Sequence, residues 1–98
     1  MSYMIEFEWD ERKNEENRKK HGVWFEEAKQ AFDDPNAIVF FDYENSSLKE
    51  RRFILLGDCG RERIFVVVHC ELENTEKIRI ISAREATKKE IRKYEEGI

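Results

Sequence analysis

Ile5, Phe7 and Trp9 alternate with Glu6 and Glu8, a period of two that predicts a short strand over residues 3–9. Asp10 has the side chain of a helix cap, and residues 11–20 then read as a very polar helix. Glu15/Lys19 and Glu16/Lys20 are favourable i,i+4 pairs in it, each worth only ~0.2–0.5 kcal/mol. This helix carries almost no apolar stripe, so its flanks Trp9 and Val23 are expected to anchor it. Gly22 follows as a left-handed stop, with Lys19, Lys20 and His21 at the negative end of the helix dipole. A second helix is predicted over residues 25–32, with Phe25, Ala28 and Phe32 on one face, and Asp33-Asp34-Pro35-Asn36 ends it.

Four β segments follow, at residues 37–43, 51–57, 63–69 and 77–83. The turns between the last three are short, which favours an antiparallel meander. Thr87-Lys88-Lys89-Glu90 is a capping box, and Ile91, Tyr94 and Ile98 form the apolar seam of a closing helix. The expected fold class is α+β: N-terminal helices, an antiparallel β-sheet meander and a C-terminal helix.

Composition narrows this further. At 98 residues, 40% of them hydrophobic, the chain is expected to form one domain over residues 1–98 with one modest core. Charged residues reach 41%, but both signs are mixed and the apolar runs are real, so the composition is globular. No segment approaches the ~20 apolar residues of a membrane span. Residues 1–6 lack a basic region followed by an apolar stretch, so no signal peptide is expected. Cys59 falls in a predicted turn and Cys70 at a strand end, facing a residue near position 50. A disulfide between them is therefore not expected, which fits a cytoplasmic chain. The net charge of −4 argues against general phosphate attraction, so any nucleic-acid chemistry must rest on a local basic patch.

Several chemistries find no motif. His21 and His69 are far apart, no closely spaced Cys/His pair occurs, and no metal site is read. Gly-rich phosphate loops and nucleophile elbows are absent. What stands out is cations on strands. Alternation sets Ile78 and Ile80 on one face of the last strand and Lys77, Arg79 and Ile81 on the other, with Arg84 just beyond. Arg51 and Arg52 open another strand. An arginine fork on a sheet face suits a phosphate, although a strand arginine taken alone is more often a surface ion-pair partner. Lys88, Lys89, Arg92 and Lys93 read as a solvated helix face. Trp9 and Trp24 are either base-stacking surfaces or packing residues. His21 is either a general acid–base group or a residue placed to favour the helix dipole.

Taken together, several stretches resemble the BrnT family of toxins. They are Phe7-Glu8-Trp9-Asp10 with Lys13 and Asn17, Lys20-His21-Gly22-Val23 with Phe25-Glu26-Glu27-Ala28, and Phe32-Asp33-Asp34-Pro35. Arg52-Phe53 with Gly57, Val66-Val67-Val68, and Ile78-Arg79-Ile80-Ile81-Ser82-Ala83-Arg84 with Ala86, Thr87, Glu90 and Tyr94 complete the match. It spans nearly the whole chain. Two positions depart from the family pattern: Trp24 stands where a small capping residue is usual, and Arg51 where an acidic one is.

The resemblance implies a RelE-like fold, an RNA substrate, and a ribbon-helix-helix antitoxin of the BrnA kind, held in a heterotetramer. Direct DNA binding by this chain alone is not expected. Metal-free RNA cleavage, with the ribose 2′-hydroxyl as nucleophile, needs a proton acceptor, a phosphate clamp and a proton donor. The candidates are Arg52 and Arg79 on the phosphate, supported by Arg84, with His21 and neighbouring Lys20 for acid–base work. Trp9, Lys77 and Arg51 are candidate substrate contacts. The competing expectation is a non-catalytic module that binds the antitoxin and regulates its own operon.

Overall fold

The computed structural model of the chain describes residues 5–73 and 75–97. In chain order the elements are β1 (Glu6–Glu8), α1 (Glu11–His21), α2 (Phe25–Ala28) extended by a 3-10 turn (Lys29–Asp33), and β2 (Ile38–Phe41). There follow β3 (Glu50–Asp58), β4 (Ile64–Leu72), β5 (Lys77–Glu85) and α3 (Lys88–Glu96). Among the described residues the strands form one sheet in the order β1-β5-β4-β3-β2.

The expected meander is present, since β2 to β5 pair antiparallel throughout. β1 departs from it by pairing parallel to β5, with Glu8 opposite Arg79, so the α+β fold carries a mixed sheet. The start of the first predicted strand at Tyr3, and the place of Ile98 in the closing seam, lie outside the described residues.

Asp10 caps α1 by accepting the Arg12 N–H at 2.8 Å, and Gly22 ends the helix at φ 73° with its N–H on the Arg18 carbonyl. The flanks of α1 are anchored as its polar composition requires: Val23 is fully buried and the Trp9 ring meets Phe25 edge-on at 6.0 Å. The helix also buries two of its own residues, Asn14 and Asn17. Asn14 accepts the Phe25 N–H at 2.7 Å and donates to Glu26. Asn17 donates to the Val23 and Ala83 carbonyls at 2.8 Å and accepts the Ala83 N–H at 3.1 Å. A polar helix is thus fixed by side chains that satisfy buried backbone groups, each of which would otherwise cost ~1–3 kcal/mol. Trp24 precedes α2 without capping it through its side chain; its backbone N–H is held by Glu27 instead.

The helices of the N-terminal half cover one face of the sheet. Val23, Phe25, Ala28 and Ala31 pack there on Leu55, Phe65, Val67, Ile80 and Ala83. Each large apolar side chain removed from water in this way contributes ~1.5–3 kcal/mol. Gly57 is needed at this contact, because a Cβ there would lie 2.7 Å from the Ala31 carbonyl oxygen.

Strict alternation fails on β5. His69 pairs with Ile80 while Val68 pairs with Ser82, leaving Ile81 as an extra residue in a bulge. A bulge shifts the pleat by one residue. Ile80 and Ala83 therefore both reach the helical core, and Arg79, Ser82 and Arg84 share the opposite face. Simple alternation would have divided those three between the two faces.

Candidate functional site

The face away from the core is built in cross-strand rows. One row is Phe40, Ile54, Val68 and Ser82, and the next toward the far end of the sheet is Arg52, Cys70 and Arg79, continued by Glu8 on β1. α3 covers part of this face. It is held by the Arg84–Glu90 fork, by Lys93 over the Phe40 ring at 4.8 Å, and by the Tyr94 hydroxyl on Asp34. The row of arginines lies beyond it, with the Arg79, Glu8 and Glu50 side chains 44%, 38% and 46% exposed.

Arg52 and Arg79 flank Cys70, the residue paired with each of them. Two strand spacings of ~4.8 Å separate the arginines' backbones, a span that two long guanidinium side chains can close on one phosphate. Arg79 is met from both sides: its Nε donates to Glu8 Oε2 at 3.0 Å, Nη2 lies 3.0 Å from the same oxygen, and Nη1 lies 3.8 Å from Glu50 Oε1. Cys70 donates its thiol to the same Glu50 oxygen at 3.6 Å. Burial pushes the Cys70 thiol up, Glu50 adds to that, and Arg52 opposes it, so the sulfur stays protonated. Arg52 Nε is shielded from solvent and lacks a hydrogen-bond partner among the described residues. Buried donors are normally paired, so this N–H stands out, while the Arg52 side chain is close enough to Cys70 to act on its thiol. Both cysteines are free.

A second group lies further along the same face. His21 reaches the rim of a cleft of about 240 Å³, together with Ser82, Arg84 and Glu90, over a floor that includes Ile54, Val66 and Val68. Arg84 donates to both Glu90 oxygens at 2.8 and 2.9 Å. That fork, together with the Thr87 N–H, holds the Glu90 carboxyl down at about 2 against the opposing effect of burial. Arg79 and Arg84 are five residues apart on β5, on the order of 15 Å at the strand rise, so one phosphate cannot meet both. The expected catalytic residues thus divide into Arg52 with Arg79, and His21 with Arg84. Lys20 is exposed next to His21 in the last turn of α1.

Three expected substrate contacts sit elsewhere. Arg51, next to Arg52 on β3, projects to the opposite face, where its guanidinium lies over the Phe53 ring at 5.6 Å. Lys77 shares the face of Arg79 and lies 3.8 Å from Glu6. Trp9 stands edge-on to Phe25 with its indole N–H on Glu11, so its ring takes part in the packing of the helical layer. The sequence reading missed Glu8, Glu50 and Cys70. Glu50 precedes Arg52 by two, the spacing that puts strand residues on one face, but the predicted strand began one residue too late to include it. Among the described residues no three His, Cys, Asp or Glu side chains form a metal-ligand group.

Residues 9–90 match the model of the family described as ribonuclease toxin, BrnT, of type II toxin–antitoxin systems. The crystal structure of the Brucella abortus ribonuclease toxin BrnT aligns with 87% of this chain and 100% of its own, at a TM-score of 0.65 and 24% identity, a likeness of fold. No curated protein matches the chain. With 82 of its 98 residues inside the family match, the chain belongs to the BrnT family of ribonuclease toxins.

Proposed function

We propose that the chain, as one RelE-like domain over its 98 residues, is a cytoplasmic toxin that cuts RNA internally without a metal and so arrests translation. The observation that carries this reading is the placing of Arg52 and Arg79 on either side of the buried Cys70 on one sheet face, with the Arg79 side chain 44% exposed. In this reading the two guanidiniums hold the scissile phosphate and stabilise the charge that builds on it as the ribose 2′-oxygen attacks phosphorus. The ion pairs that occupy Arg79 do not close the site. Pairs this exposed are worth ~0–1 kcal/mol, and a phosphate offers the same guanidinium a stronger bidentate partner. Arg84, His21 and Lys20 engage the neighbouring part of the same RNA strand.

Membership of a type II family implies an antitoxin. The reading here is a BrnA-like ribbon-helix-helix protein that joins the toxin in a heterotetramer.

The test is cleavage of a defined RNA, free or on programmed ribosomes, in excess chelator, by the parent chain, Arg79→Ala and His21→Ala. Products ending in a 2′,3′-cyclic phosphate, with loss on the order of 100-fold in Arg79→Ala, are expected. Cleavage abolished by the chelator would sink the metal-free mechanism. A chain that cuts neither substrate, and leaves growth unaffected when expressed without antitoxin, would be a binding module.

A further inference from the structure

An in-line attack by a 2′-hydroxyl needs a group beside the phosphate that takes its proton. His21 is poorly placed for this, since it lines the Ser82–Arg84 cleft further along β5 from Arg79. Two carboxylates are near enough, Glu8 and Glu50. Glu8 is committed, with one oxygen held at 3.0 Å by both Nε and Nη2 of Arg79. Glu50 is held more loosely, at 3.8 Å from Arg79 Nη1 and 3.6 Å from the Cys70 sulfur. It stands two residues before Arg52 on β3, so the pleat sets the two on one face. A phosphate bridging Arg52 and Arg79 would lie next to it.

Resting on the reading above, we propose that Glu50 is the general base of the cleavage reaction. Its carboxylate removes the proton from the ribose 2′-hydroxyl as the 2′-oxygen bonds to phosphorus and the bond from phosphorus to the 5′-oxygen breaks. The departing 5′-oxygen takes a proton from water, and Glu50 later returns its own to solvent. No oxidant, reductant or further co-reactant is required. The groups around Glu50 are the Arg52 and Arg79 guanidiniums, the neutral Cys70 thiol and, across Arg79, Glu8. Lys77, tied to Glu6, is the next cation along the face.

The experiment measures kcat/KM against pH, in chelator, for the parent chain, Glu50→Gln, Glu50→Asp, Glu8→Gln and Arg79→Ala, on free RNA and on programmed ribosomes. Thermal melting of each protein controls for folding. Glu50→Gln is expected to lose ~100-fold or more and to lose the acidic limb of the profile. Glu50→Asp should recover part of the rate with the limb restored, and Glu8→Gln should keep the parent profile shape. A uniform drop in Glu50→Gln with the acidic limb intact would make Glu50 a structural support for Arg79 and overturn the assignment. Parent-like cleavage by Glu50→Gln alongside an inactive Arg79→Ala would overturn it too, while leaving the ribonuclease reading in place. Absence of cleavage by the parent on both substrates would remove the reading and the assignment together.

Discussion

The Asn17 carboxamide pairs with the Ala83 peptide as a neighbouring strand would, donating to its carbonyl at 2.8 Å and accepting its N–H at 3.1 Å. β1 pairs only with residues 77–79 of β5, so this part of β5 lies beyond that pairing, and one side chain from α1 takes its place. Asn17→Ala would leave the Ala83 N–H and two carbonyls, those of Ala83 and Val23, without this partner. The expected loss is about 2–3 kcal/mol, on the order of 10 °C in Tm for a chain of this size. Thermal unfolding followed by circular dichroism checks it, and a shift under 3 °C would show that water replaces the amide there.

Adjacent residues on a strand face opposite ways, which separates Arg51 from Arg52 functionally. Arg51→Ala is expected to keep RNA cleavage within about threefold of the parent, while Arg52→Ala loses on the order of 100-fold. Rates on one RNA under identical salt decide this. Equal losses would mean that the substrate wraps both faces.

Acid weakens the Arg84–Glu90 fork. Glu90 is held at about 2 in the fold against an ordinary 4.5, so its contribution is complete above about pH 4.5 and is lost as pH falls toward 2. The pair is worth about 1–2 kcal/mol, discounted because the guanidinium side chain is 40% exposed. Urea midpoints for the parent and Glu90→Gln should differ at pH 7 and converge near pH 2. A difference that persists at low pH would assign the effect to the helix cap that Glu90 also makes.

Alkali should act on the other tie of α3. The Tyr94 hydroxyl donates to Asp34, which pushes its pKa up to about 12, with burial adding to the effect. A folded value above the ordinary 10 means the stabilisation is intact below pH 10 and fades between 10 and 12. Ultraviolet titration should show a late phenolate phase that Tyr94→Phe removes. Without such a phase in the parent, the Asp34 contact does not persist in solution.

Much of this fold could be read from period and punctuation. Gly22, the Thr87–Glu90 box and the β2–β5 meander each announce themselves through local chemistry, because a cap or a short turn needs particular residues at particular positions. The parallel docking of β1 on β5 was not legible, since nothing local in a three-residue strand names a partner some seventy positions away. Asn14 and Asn17 were hidden for a related reason. In a helix of charged residues an asparagine looks like surface, and only the backbone it meets shows otherwise. On the candidate site, residue type identified Arg52 and Arg79, and strand periodicity set Arg79 on the face opposite Ile78 and Ile80. It could not tell which carboxylates stand beside them, because Glu8 and Glu50 come from two other segments of the chain.

The bulge at Ile81 has one more consequence. Parity, the odd or even count of residues from one arginine to the next, decides which wall of the sheet each occupies. Arg79 and Arg84 are an odd number apart yet share a wall, because one residue between them stands out of the count. A relative with the same residues and the same length but regular pairing here would keep its charge, yet its second arginine would point into the helical layer. A relative lacking Ile81 would need no bulge, because an even count already sets both arginines on one wall. The pairing of the Ile-Ile-Ser-Ala-Arg run, as much as its composition, therefore directs this cation outward.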